Sequence, residues 1–161
     1  MLKISLFELV TRGIPEGFLF ILANLAYAKK KIIPLPYLVS SILLIIFTYC
    51  ARLLDINFGV HTILNLICLV SLSVYINKID LFKAVKGSMF ATLIMVFVEA
   101  INVVILQFIF KDNLKLIIDD PFKKALAGIP GIMVYGVIII SAYLYFMKIN
   151  KNRGENGTVS E

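Results

Sequence analysis

The chain has 161 residues, of which 60% are hydrophobic and 16% charged, against about 45–50% apolar and about 25% charged in soluble domains. That much apolar surface cannot be hidden from water at this size, so lipid solvates most of the chain; soluble enzymes, nucleic-acid binders and disulfide-rich secreted modules are excluded. The formal charge of +6 sits in short clusters between apolar runs, a topology signal facing anionic lipid and not a nucleic-acid footprint.

A spanning helix needs about 20 apolar residues. The first apolar segment, Ser5–Ala28, is interrupted by Glu8, Arg12 and Glu16 and has Gly13-Ile14-Pro15 in its middle. Its unbroken part, Gly17–Ala28, is too short to span alone. We read the segment as one kinked span, in preference to an interfacial helix running into a short one. A cleaved signal peptide would need the uninterrupted apolar centre that Glu8 and Arg12 deny it, so the segment is expected to be retained. Glu8, Arg12 and Glu16 follow at i, i+4 spacing and form an acid–base–acid ladder on an unbroken helix. Pairing with Glu99 across helices is a second role open to Arg12. Lys29-Lys30-Lys31 then reads as a cytoplasmic stop.

The second and third spans, Leu35–Leu54 and Phe58–Ile76, are joined by a turn through Arg52, Asp55, Asn57 and Gly59. Asp55 or Asn57 suits a helix cap, and Gly59 permits a tight turn. His61, the only histidine, falls in the first turn of the third span with Thr62 and Asn65 nearby. It reads either as an interfacial histidine bonded to the loop or as a residue at the mouth of a ligand pocket. One histidine with scattered carboxylates lacks the clustering of a metal site, and no cofactor is expected. Cys50 and Cys68 lie inside apolar runs and give no disulfide framework.

The fourth span, Ala84–Phe110, is long enough to tilt. At about 100° per residue, Ser88, Thr92, Glu99 and Asn102 share one narrow stripe of it. A carboxyl at that depth must be protonated or partnered. The stripe is therefore a ligand or proton site, or else interhelical hydrogen-bond glue. Lys111–Leu126 mixes charged and apolar residues, which suggests an amphipathic piece on the outer surface, broken at Asp120-Pro121. Gly128–Met147 is the fifth span. Its Gly128-Ile129-Pro130 echoes Gly13-Ile14-Pro15, and both read as helix starts with proline in the first turn, in preference to the broken, anion-binding helices of transporters. Residues 1–150 thus form a single helical membrane domain, and the polar tail Lys151–Glu161 is expected to be disordered and cytoplasmic.

Five spans place nine Lys and Arg residues on one side (positions 29–31, 78, 83, 86, 148, 151 and 153) and six on the other (3, 52, 111, 115, 123 and 124), with Arg12 inside the first span. Basic residues are retained in the cytoplasm. The N-terminus is accordingly expected outside and the C-terminus inside, in the cytoplasmic membrane.

Gly59-Val60-His61, followed at seven residues by Cys68, resembles the histidine–cysteine spacing of accessory gene regulator (Agr) processing peptidases. That resemblance covers about ten residues and implies a membrane enzyme that trims and cyclises a signalling peptide from inside the cell, using His61 and Cys68. Cys68, however, sits in Leu66-Ile67-Cys68-Leu69-Val70, not in the electropositive setting of a reactive thiolate, and the topology places His61 outside. A second resemblance covers nearly the whole chain. Gly13-Ile14-Pro15-Glu16-Gly17, the Arg52–His61 turn and Asp120-Pro121 before the last span look like the landmarks of the multi-span sensor regions of Agr-type receptor histidine kinases. It implies an all-helical, multi-span membrane part that senses a peptide or lipid. The phosphoacceptor helix and ATP-binding module of such kinases have no counterpart here, so kinase activity is not carried over.

Together these readings predict a polytopic all-α membrane protein that acts as a non-enzymatic sensor or accessory module. It would bind a small amphipathic ligand, or a membrane partner, through Arg12, Arg52, Asp55, His61, Thr92, Glu99 and Asn102, and signal to a cytoplasmic partner. A substrate-binding component of a small-molecule transporter is the alternative. Besides the bilayer and such a partner, no nucleic acid is expected to bind.

Overall fold

The computed structural model describes residues 9–53, 58–110 and 121–156. Every regular element among them is helical. A π-helical turn, Leu9–Gly13, runs directly into α1, Ile14–Tyr27. It is followed by α2 (Pro34–Leu53), α3 (Phe58–Tyr75), α4 (Leu81–Phe110) and α5 (Pro121–Asn156). Pro34–Ala51, Leu81–Phe110 and Ala125–Ile149 are long and apolar enough to cross a membrane. Val60–Tyr75 is apolar but shorter; at 1.5 Å per residue it covers about 24 Å of the roughly 30 Å hydrocarbon core.

Helix boundaries follow local chemistry. Pro15 has no N–H to donate to the carbonyl one turn back, and the chain accommodates this by widening into the π-helical turn at Leu9–Gly13. Gly13 itself stays in the right-handed helical region, so the helical run is continuous across Gly13-Ile14-Pro15. α4 starts at Leu81, a turn earlier than its apolar run, because Asp80 Oδ1 accepts from the backbone N–H groups of Phe82 (3.1 Å) and Lys83 (3.4 Å) and caps it. α5 begins at Pro121, where a missing N–H costs nothing. Gly128-Ile129-Pro130 is therefore not a helix start, contrary to the expectation from sequence: Pro130 lies inside α5. Residues 111–120 of the expected amphipathic piece lie outside the described residues, and 121–126 are the opening turns of α5. At its other end α5 continues through Asn156, into the stretch read as a polar tail.

The segment that charged residues interrupt in the sequence supplies the centre of the bundle. Ile21 through Ala26 are all buried, as is Gly17, so α1 is covered on every side over its second half. One core cluster joins Leu22 and Ala23 of α1 to Ala91, Met95 and Val98 of α4 and Ile132, Tyr135 and Ile139 of α5. The other joins Ile21 and Leu25 to Leu44 of α2, Leu69 of α3 and Ala84 of α4. Because protein surrounds α1, it tolerates polar residues that a lipid-facing helix would not. α4 instead turns Leu93, Phe97, Ile101, Ile105 and Phe108 outward.

Consecutive helices run in alternating directions. Lys30 Nζ donates to the carbonyls of Asn77 (3.1 Å) and Lys78 (2.5 Å), joining the α1–α2 and α3–α4 connections. Tyr143 Oη, late in α5, accepts from the N–H of Ile32 (3.1 Å), and Lys29 Nζ lies 5.8 Å from the ring centre of Phe146. Lys29–Lys31, Lys78 and the far half of α5 thus share one end. Lys29 and Lys78 both have positive φ, 54° and 51°, the left-handed conformation that glycine usually supplies after a helix. Lysine at these two positions keeps positive charge at this end of the bundle.

Candidate functional site

At the opposite end, the starts of α1, α3 and α5 meet the later turns of α2 and α4. Arg12 leaves the π-helical turn and pairs with Glu99 of α4, while its Nε stays 4.0 Å from Glu16 Oε2 one turn along α1. The guanidinium therefore lies between two carboxylates. Its approach to α4 needs a smooth wall on α5: a Cβ on Gly128 would stand 3.2 Å from Arg12 Nη1. The two Gly-Ile-Pro segments come together here, for a packing reason. Asn102, close to one turn beyond Glu99, donates from Nδ2 to the Ala127 carbonyl (2.9 Å) and lies over Gly131.

The ion pair is shared by two cavities. One, of about 140 Å³, is lined by Arg12, Glu16, Thr48, His61, Thr62, Asn65, Thr92 and Glu99 over an apolar surface that includes Phe20, Leu44, Leu66, Leu69 and Met95. The other, of about 150 Å³, lies towards α5 and is lined by Arg12, Glu99, Asn102, Gly128 and Gly131, among others.

Neutral polar groups in the first cavity are linked in a chain. Thr48 Oγ1 donates to Asn65 Oδ1 (3.3 Å), and Asn65 Nδ2 lies 3.4 Å from His61 Nδ1. An amide nitrogen only donates, so this contact is a hydrogen bond when the His61 proton is on Nε2. Thr92 donates its hydroxyl to the Ser88 carbonyl one turn back (2.8 Å), which leaves its oxygen as an acceptor towards the cavity. Below the cavity, Asn24 Nδ2 donates to Ser73 Oγ (3.0 Å) and Ser88 Oγ (2.8 Å), tying α1 to α3 and α4 in a fully buried knot.

Among the expected site residues, Arg12, His61, Thr92 and Glu99 line the first cavity and Asn102 the second. Asp55 and Glu8, and the side chain of Arg52, lie outside the described residues. Cys68 packs against the core cluster of Ile21, Leu25 and Leu69. His61 and Cys68 sit seven residues, about two turns, apart on α3, roughly 10 Å along the axis. Thr48 escaped notice in the sequence, although a lone threonine deep in an apolar run was a usable signal. Glu16 was visible only as a rung of a ladder; its place in the cavity depends on how α1 is rotated against α3. Asn24, alone in the apolar run Gly17–Ala28, was the strongest signal passed over.

Comparison with known protein families, curated proteins and solved structures gives no match for the chain.

Proposed function

We propose that this protein is a five-span membrane sensor that takes a small amphipathic ligand into the cavity between α1, α2, α3 and α4. The supporting observation is the cavity itself: an ion pair and a string of hydroxyl, amide and imidazole groups ring an apolar floor, inside a bundle otherwise built for lipid. In this reading the π-helical turn with α1, and α3, each just short of the roughly 30 Å hydrocarbon core, supply the two further crossings, and the cluster of lysines at the other end favours a cytoplasmic C-terminus. The cavity then opens towards the exterior. A ligand that competes for Arg12 or Glu99 changes the contact of α4 with α1 and α5, and α5 carries that change to the cytoplasmic end, where a signalling partner reads it. In this reading recognition takes place in the membrane and the output elsewhere, as the resemblance to the sensor regions of Agr-type receptor kinases implies.

Two measurements test this reading. In a Cys50→Ser/Cys68→Ser background, His61→Cys should react with a membrane-impermeant maleimide on intact cells, while Ser160→Cys should react only after permeabilisation. The reverse pattern overturns the topology. Cells producing Glu99→Gln at the wild-type protein level should show an altered transcript profile with small-molecule uptake unchanged. Identical profiles would remove the sensor reading, and lost uptake would favour the transport component.

A further inference from the structure

We infer that the lysine end of the bundle carries a discrete site for an anionic phospholipid of the surrounding bilayer, formed along α4 and the end of α1. The inference is independent of the cavity at the opposite end. It starts from one face of α4. Lys83, Lys86, Phe90, Leu93 and Phe97 follow at i, i+3, i+7, i+10 and i+14, which keeps them within about 80° of the helix surface, and all five are exposed. The stripe changes character once, from cationic to apolar. From Lys86 to Phe97 it rises about 16 Å at 1.5 Å per residue, close to half of the roughly 30 Å hydrocarbon core. One phospholipid has this length and this division, with a phosphate at the level of the lysines and an acyl chain along the rings.

The end of α1 supplies a second side. The Tyr27 ring centre lies 6.4 Å from that of Phe90, and two residues on, Lys29 Nζ lies 5.8 Å from the ring centre of Phe146 on α5. Lys29 is an unexpected residue where it stands. α1 closes in a Schellman motif: the N–H of Lys30 donates to the Leu25 carbonyl (3.0 Å) and that of Lys29 to the Ala26 carbonyl (3.1 Å). This motif needs a left-handed residue at position 29, φ 54°, which glycine fills most easily. Retention of basic residues on one side of the membrane asks for charge at this end but not at that residue, since Lys30 and Lys31 follow. Lys30 is committed within the protein, its ammonium on the carbonyls of Asn77 and Lys78. Lysine at 29 instead sets a cation beside the α4 stripe at a cost to the backbone, which contact with a lipid phosphate offsets. Asp80, the acid next to α4, turns Oδ1 to the N–H groups of Phe82 and Lys83, and the three lysines outnumber it. An acidic protein segment would leave the apolar half of the stripe unused, at the depth where acyl chains lie.

The test uses the full chain purified in a neutral maltoside detergent. The probes are phosphatidylglycerol and phosphatidylcholine with the same acyl chains, and glycerol 1-phosphate as the anion without a chain. At roughly tenfold excess over its Kd, a ligand specific for the folded state raises the unfolding midpoint by about 3 °C in a chain of this size. Phosphatidylglycerol is expected to produce such a shift, with the other two producing none at the same concentration. One lysine near a lipid surface is worth about fivefold in affinity, so Lys29→Gly and Lys86→Gln should each weaken phosphatidylglycerol about fivefold. Without lipid, Lys29→Gly should unfold no earlier than the wild type, because glycine suits the left-handed position; a weaker shift in that variant is then lost binding and not lost fold. Equal shifts with the two lipids, or none with any probe, overturn the site and leave the lysines as an orientation signal. A full shift with glycerol 1-phosphate overturns the lipid in favour of a free anion. Wild-type affinity for phosphatidylglycerol in both variants overturns the placement on α1 and α4.

Discussion

Arg12→Gln should destabilise the folded bundle by about 3 kcal/mol and sharply reduce the yield of monodisperse protein in mild detergent. Removing one member of a fully buried pair leaves the other charge without compensation, at a cost of roughly 3–5 kcal/mol, and this pair is partly buried. The low end applies because the Glu99 side chain keeps 35% of its surface exposed. Glu99→Gln should cost less, since Arg12 retains Glu16 one turn away. The diagnostic comparison is the double variant Arg12→Gln/Glu99→Gln. Two amides satisfy each other without charge, so most of the loss should be recovered, and the coupling in the double-mutant cycle should exceed about 1 kcal/mol. Full recovery should need Glu16→Gln as well, because Glu16 loses its cation in the same step. Thermal unfolding of the five proteins is the measurement. Wild-type stability for Arg12→Gln would show that the pair does not fasten α1 to α4.

The same pair shows how far the sequence could be read. Glu99 stood out because a carboxyl deep in an apolar helix needs a partner, and Arg12 was among the few cations placed to provide one. Periodicity put Ser88, Thr92, Glu99 and Asn102 on one face, and that face does turn inward: Ser88 into the knot with Asn24, Glu99 to Arg12, Asn102 to the Ala127 carbonyl. What could not be read was which helix is central. Charged residues count against a segment's fitness for lipid, so Arg12 and Glu16 marked Ser5–Ala28 as the doubtful span, whereas the second half of that stretch is the part most enclosed by protein. Rotation is equally invisible: nothing in the spacing of Glu16 or Thr48 says that both face His61 of α3. The second Gly-Ile-Pro was misread because a proline near the start of an apolar run resembles a helix start, while the chain had begun the helix nine residues earlier, at Pro121.

Gly87→Ala should destabilise the protein by about 2 kcal/mol, the opposite of what this exchange does at an ordinary helical position. In an open helix interior, alanine is favoured over glycine by about 1 kcal/mol. At Gly87 the new Cβ would run into Asn24 Oδ1 and stand 3.2 Å from Tyr27 Cβ, so α1 and α4 cannot keep their present approach. The amide cannot simply swing aside. Asn24 is completely buried, and its Nδ2 is held between Ser73 and Ser88. Moving it breaks two hydrogen bonds that link three helices, at about 0.6–2 kcal/mol each in a membrane interior, and the overpacking itself adds roughly 1–3 kcal/mol; the intrinsic gain of alanine offsets part of this. Asn24→Ala alone should cost about 1–2 kcal/mol, since Ser73 and Ser88 lose their common partner. With the Asn24 side chain gone, the space next to Gly87 opens. The double variant Asn24→Ala/Gly87→Ala should therefore be more stable than the sum of the single losses implies, by at least about 1 kcal/mol. Unfolding midpoints of the three variants decide the point. A Gly87→Ala protein more stable than the wild type would mean that α1 and α4 are not held together through Asn24, and that the floor beneath the cavity is assembled in another way.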